Sequence, residues 1–230
     1  MTKTEREARL LSVARELILE HGIMSFKFTD IAKRAEVSRA TLYKHFSGKE
    51  DVLVCLFVTD TNHSRQMLID IQNYDHLNDR EKLITALLAP VSISSCTTNR
   101  LGITFLSANP GIYLFAGESR QEELETIIEQ VTNIHAQFWM TPLSKGTLIA
   151  TEEKLLKVRS AVYPYQRGCV LIPQNIMAQR NNIKRSLYDV YENLMLYTDM
   201  LEWHEEHRRV EYDKVLKAIG KFERDTMIAC

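Results

Sequence analysis

The chain has 230 residues, enough for one or two compact domains with a real core. Apolar residues make up 45% and charged residues 26%, an ordinary globular balance, and 8 Gly with 5 Pro exclude a collagen-like or linker-dominated chain. The net charge of −1 excludes a uniformly basic protein, and the lack of any run of about 18 apolar residues predicts no membrane span.

The start, Met1-Thr2-Lys3-Thr4-Glu5-Arg6, is charged and lacks the apolar stretch of a signal peptide, so a cytoplasmic protein is expected. Helical periodicity then dominates, and hairpin turn signals are absent. A first helix spans about Thr4–Glu20, with Leu10, Leu11, Ala14, Leu17 and Ile18 as its apolar stripe and Gly22 after its end. A second, short helix is expected from Thr29, capped by its own hydroxyl, to Ala35. After Glu36-Val37-Ser38, Ser38 caps a third helix, Arg39–Phe46. Ser47-Gly48-Lys49-Glu50 fits a capping box for a fourth helix that runs to about Ile71.

Farther on, Arg80–Ala89 reads as a helix stopped by Pro90, with Ser92–Asn99 as a loop or helix start and Asn109-Pro110-Gly111 as a turn. Glu118–Trp139 is a long helix ended by Pro142. Glu152–Gln174 is a helix that Pro164 kinks or splits and Pro173 ends. Ile183–His204 carries one stripe through Leu187, Val190, Tyr191, Leu194, Thr198 and Leu201 and a second edge through Tyr188, Met195, Met200 and Trp203, which predicts burial on two sides. Val210–Met227 closes the chain. The fold class is therefore all-α. The boundary is expected at residue 50: a three-helix domain over 1–50 and a larger helical domain over 51–230.

Two short helices joined by a three-residue turn form a helix-turn-helix, whose second helix enters the DNA major groove. Ile31, Ala32, Ala35, Val37, Leu42 and Phe46 supply the apolar inward positions; Arg39, Ala40, Thr41, Tyr43, Lys44 and His45 are the outward ones. Charge is unevenly spread: from Arg39 to Lys49 there are basic residues and no acidic one. Charges elsewhere on the chain are largely screened beyond about 8 Å at physiological salt.

The run Thr29-Asp30-Ile31-Ala32-Lys33-Arg34-Ala35-Glu36-Val37-Ser38-Arg39-Ala40-Thr41-Leu42-Tyr43-Lys44-His45-Phe46, followed by Lys49 and Leu53, resembles the signature of the TetR/AcrR family of bacterial regulators. Glu36 departs from it, standing where the family often has Gly. The resemblance implies a homodimeric, sequence-specific regulator, a repressor, that binds a palindromic operator on double-stranded DNA and is released by an apolar small-molecule effector. It implies DNA contacts from Thr29, Ser38, Arg39, Ala40, Thr41, Tyr43, Lys44, His45 and Lys49, with Tyr43 and Lys49 on phosphates. Within the body, Phe105, Tyr113, Phe138, Trp139 and Tyr163 are candidates for the effector pocket, and Leu187, Tyr191, Leu194 and Met195 for the dimer interface. The alternative is an architectural or nucleoid-occlusion-type protein that recruits a protein partner.

His204-Glu205-Glu206-His207 lacks the H-E-x-x-H spacing and reads as a solvated helix end, so no metal is expected. Cys55, Cys96, Cys169 and Cys230 are far apart in sequence, which leaves buried or free thiols as the reading. No nucleophile–base pair or glycine-rich phosphate loop stands out, so neither catalysis nor a cofactor is expected.

Overall fold

The computed structural model describes residues 2–96, 110–174, 180 and 186–228, without the side chains of 95, 96, 110, 174 and 224–228. Among these residues are eleven α-helices: α1 (Lys3–His21), α2 (Phe28–Arg34), α3 (Arg39–His45), α4 (Lys49–Gln72), α5 (Asp79–Cys96), α6 (Pro110–Leu114), α7 (Glu118–Lys145), α8 (Glu152–Leu171), α9 (Leu187–Asp199), α10 (Glu205–Arg208) and α11 (Tyr212–Ile228). The fold is all-α, with one two-residue antiparallel ladder pairing Leu148 with Trp203 and Ile149 with Glu202. No described helix is long and apolar enough to cross a membrane. The chain divides into two compact units: Met1–Asn62 with Asn99–Glu129, and His63–Thr98 with Gln130–Cys230.

In the first unit, α1 starts on a capping box in which Thr2 Oγ1 accepts the Glu5 N–H and Glu5 Oε2 accepts the Thr2 N–H. It ends at Gly22, whose φ of 80° disfavours any residue with a side chain. Leu10, Ala14, Leu17 and Ile18 from α1 pack with Phe26, Ile31, Leu42, Phe46, Leu53 and Leu56 into one core. Full burial of each such large side chain contributes about 1.5–3 kcal/mol. The Arg15 guanidinium donates 2.8 Å to Asp60 and ties α1 to α4. A smaller cluster joins Val54 and Val58 of α4 to Ala116, Leu124 and Ile127.

The second unit is built around α5, on which α8, α9 and α11 all pack. Its core includes Ile84, Leu87, Leu88, Phe138, Trp139, Val158, Val162, Leu194, Trp203 and Ile219. A buried polar network crosses this core. Arg80 is 1% exposed; it donates to Thr198 Oγ1 (2.8 Å), Asp199 Oδ1 (2.6 Å) and the carbonyls of Arg208 (2.8 Å) and Met195 (3.3 Å). Buried Glu81 accepts the N–H groups of Asn78 and Glu211, and Asp79 accepts the Thr147 hydroxyl. His204 is the N-cap residue of α10, and His207 Nδ1 accepts the Asp79 N–H.

Two prolines, Pro90 and Pro142, correct the expected helix ends, and a third, Pro164, leaves its helix unsplit. Pro90, Pro142 and Pro164 all lie inside helices, in α5, α7 and α8, and none stops its helix. A proline removes one hydrogen bond to the carbonyl four residues earlier, and packing on both sides outweighs that loss. Leu87, Leu88 and Ala89 before Pro90 and Val91 after it are all buried, and the buried Gln166 amide donates to the Leu87 carbonyl beside the break. The expected helix Ile183–His204 is shorter where described. Ser186 and Asp189 form a capping box that starts α9, and Asp199 ends it before the Glu202–Trp203 strand; Ile183 lies outside the described residues.

Candidate nucleic-acid interface

Helices α2 and α3 form the helix-turn-helix. Ile31, Ala32, Ala35, Leu42 and Phe46 are buried in the core and Val37 is half-buried. The turn holds because Ala35 N–H donates to the Ile31 carbonyl and Val37 N–H to the Ala32 carbonyl. Glu36 takes φ 54°, the left-handed region, at a cost of roughly 1 kcal/mol for a residue with a Cβ. Ser38 caps α3: its Oγ accepts the Thr41 N–H at 3.0 Å and lies 2.8 Å from Thr41 Oγ1. At the start of α2 the expectation is corrected. The helix begins at Phe28, its N-cap is Lys27 with no side-chain bond, and half-buried Thr29 sits inside the first turn. Phe28 packs edge-on against the Tyr43 ring at 5.3 Å.

One face of α3 is open. Arg39, Ala40, Tyr43 and Lys44 are exposed, Ser38 is exposed at its start, and Thr41 is half-buried. Arg34 is engaged with Glu20 at 2.6 Å, whereas Arg39 and Lys44 make no ion pair among the described residues. Their charge is available to a partner. His45 is a correction: it turns inward. It lies three residues after Leu42 and so on the buried side of the helix. Its side chain is 4% exposed, 3.6 Å from Glu7 Oε2, and its Nδ1 has no hydrogen-bond partner.

The start of α4 is held differently from the expected capping box. The carboxylate that Ser47 meets belongs to Asp51, which accepts the Ser47 N–H (2.7 Å) and hydroxyl (2.5 Å) on one oxygen and the Gly117 N–H (2.7 Å) on the other. Burial alone would raise the Asp51 pKa, but these donors and the nearby Arg120 charge hold it below the usual carboxylate range. Arg120 donates to Glu7 at 2.7 Å and lies over the Phe46 ring. Sequence spacing alone does not reveal this joint, because Gly117 and Arg120 are more than 60 residues from Asp51. Lys49 Nζ donates to the carbonyls of Met24 (3.0 Å) and Phe26 (3.3 Å), and burial pushes its ammonium below the usual lysine range. Cys55 is buried, and desolvation pushes its thiol up to about 12.

Of the candidate effector residues, Tyr113 packs against the small cluster of the first unit, while Phe138 and Trp139 belong to the core of the second. Tyr163 is 67% exposed, which corrects its assignment to a pocket, and Phe105 lies outside the described residues. A group missed from the sequence is His135 of α7, whose imidazole is pushed down to about 4 by burial and by the Arg167 charge. The interface candidates differ in exposure. Tyr191 and Leu194 are buried inside the protomer, where Tyr191 donates its hydroxyl to the Val210 carbonyl, and Leu187 and Met195 are half-buried against the same core. The exposed large apolar residues here are Tyr188 and Leu196 of α9 and Met200 just after it.

Residues 10–55 match the family model described as bacterial regulatory proteins, tetR family. The head carries a TetR-family helix-turn-helix. The HTH-type transcriptional repressor BepR of Brucella suis is 27% identical over 125 residues, 54% of this chain and 49% of that protein. The fatty acid metabolism regulator protein of Bacillus subtilis is 36% identical over 55 residues, 24% of this chain and 28% of that one. This chain thus spans half or less of the length of these curated relatives. The crystal structure of the transcriptional regulator FadR from Bacillus subtilis in complex with stearoyl-CoA shares the fold, with a TM-score of 0.60 at 20% identity over 85% of this chain and 99% of that one. The likeness of fold therefore extends beyond the matched head into the helical body.

Proposed function

We propose that this protein is a non-enzymatic, sequence-specific transcriptional regulator, a repressor, that binds a palindromic operator as a homodimer. The observation that carries the reading is the open face of α3. Arg39 and Lys44 stand unpaired on a short helix that Ser38 caps and Leu42 and Phe46 anchor. A guanidinium there suits the O6 and N7 acceptors of guanine, the Ala40 methyl suits thymine, and Tyr43 and Lys44 suit phosphates. Ser38, Thr29 and Thr41 are placed for backbone contacts at the ends of the two helices, and His45 supports α3 from inside. The test is selection of duplexes from a random pool, followed by titration against salt. A palindrome whose affinity falls steeply with salt is expected; no enrichment would end the reading.

Dimerisation is supported by the apolar residues that α8 and α9, packed on each other, leave exposed: Leu156, Tyr163, Tyr188, Leu196 and Met200. A second copy placed on this face makes a self-complementary interface. Sedimentation of wild type as a dimer and of Leu196→Asp as a monomer is the expected pair of results. For the effector, the relatives named for fatty acid metabolism and the stearoyl-CoA complex favour a long acyl chain. Stearoyl-CoA lowering operator affinity is the expected outcome, with free coenzyme A as the control.

A further inference from the structure

The phosphate role expected of Lys49 meets an obstacle in the local geometry. A lysine ammonium has three N–H donors. Two point at the carbonyls of Met24 and Phe26, and the Phe26 ring lies 4.4 Å from Nζ on a third side. Lys49 is also the first residue of α4, where the positive end of the helix dipole disfavours an exposed cation and the two carbonyls offset it.

These carbonyls belong to the turn between α1 and α2. The turn has few other supports. Met24 is 85% exposed and packs little, while Phe26 is buried and its N–H and that of Ser25 donate to the Gly22 carbonyl. Lys27, the N-cap residue of α2, has no side-chain bond. Phe28 follows this turn directly, packs on the same core as Phe26, and is the residue against which the exposed Tyr43 ring rests. We propose that Lys49 is a positioning residue that holds the α1–α2 turn, and through Phe28 the Tyr43 ring on the open face of α3, without touching phosphate itself. The part of this that concerns affinity rests on the DNA-binding reading above.

The first test uses the wild-type protein. Lysines are acetylated at limiting reagent, with and without the selected duplex, and read peptide by peptide. Lys49 is expected to react slowly in both states, while Lys44 reacts freely and is shielded by DNA. Free reaction of Lys49 without DNA and shielding with it would overturn the proposal. The second test is Lys49→Met in the full chain. Affinity for the selected duplex is expected to fall about 5- to 30-fold, the range of one lost interaction, with an unchanged salt slope. The fluorine signal of 3-fluorotyrosine at Tyr43, assigned with Tyr43→Phe, is expected to move, and Lys49→Arg is expected to restore both readouts. A slope shallower by about one per subunit is the signature of a phosphate contact and overturns the proposal; so does an unmoved Tyr43 signal. If Lys49→Met does not fold, the acetylation pattern decides. If no duplex is ever selected, the DNA-binding reading fails by itself, and the acetylation rate in free protein with the Tyr43 signal still decides whether Lys49 holds the turn.

Discussion

The two compact units are stabilised by different means. The first is assembled from short helices whose starts are set by neighbours in sequence: Thr2 with Glu5, Ser38 with Thr41, Ser47 with Asp51. The second depends on side chains that meet across more than a hundred residues, as Arg80 does with Thr198, Asp199 and the Arg208 carbonyl. Local signals make a unit whose surface is free to vary for recognition. Long-range buried polar groups make a unit that tolerates little change at a few positions.

The sharpest way to break this contrast is Arg80→Ala. It leaves the Thr198 hydroxyl and two carbonyls without their buried donor, and about 3–5 kcal/mol of stability should be lost. Urea unfolding measures it; a loss below 1 kcal/mol would show that the network is incidental. Arg39→Ala should do the reverse. Stability is expected to hold, while operator affinity falls by about 1–3 kcal/mol and preference relaxes near one base pair per half-site. Equal losses on operator and scrambled duplex would remove Arg39 from base readout.

Asp51 tests a long-range joint of the first unit. Asp51→Asn should cost about 1–3 kcal/mol at neutral pH by weakening bonds to Ser47 and Gly117. The folded pKa is depressed, so the carboxylate's contribution is fully present above its ordinary value of 3.8 and disappears as pH falls below that through the folded value. Wild type and variant should converge in acid; a gap that widens there would reverse the assigned sign. The smallest effect belongs to Glu36→Gly, which should relieve about 1 kcal/mol of left-handed strain and raise the melting temperature by a few degrees. A lower melting temperature would mean that the Glu36 side chain contributes more than its backbone costs.

The same contrast explains what was legible in the sequence. The helix-turn-helix was readable because its turn, its Ser38 cap and its inward Leu42 and Phe46 all lie within about twenty residues. The misses there are matters of one helical step. Thr29 loses its capping role because Phe28 is drawn into the helix against Tyr43, and His45 falls on the Leu42 side. In the body, proline chemistry predicted two helix ends, at Pro90 and Pro142, and a split at Pro164, all of which packing overrides. The apolar stripe of α9 was correct as a stripe, with Val190, Leu194 and Thr198 buried. Periodicity does not tell which partner a stripe faces, and this one faces its own chain.

Cys55 and Cys169 are both buried, one in each unit. A thiol held near 12, as Cys55 is, contributes almost no thiolate at neutral pH. It reacts with an alkylating reagent only when its surroundings open. The two cysteines thus serve as built-in clocks. Their alkylation rates, resolved by peptide mass and followed through mild denaturant, time the opening of each half of the chain separately, without any label on the open face of α3.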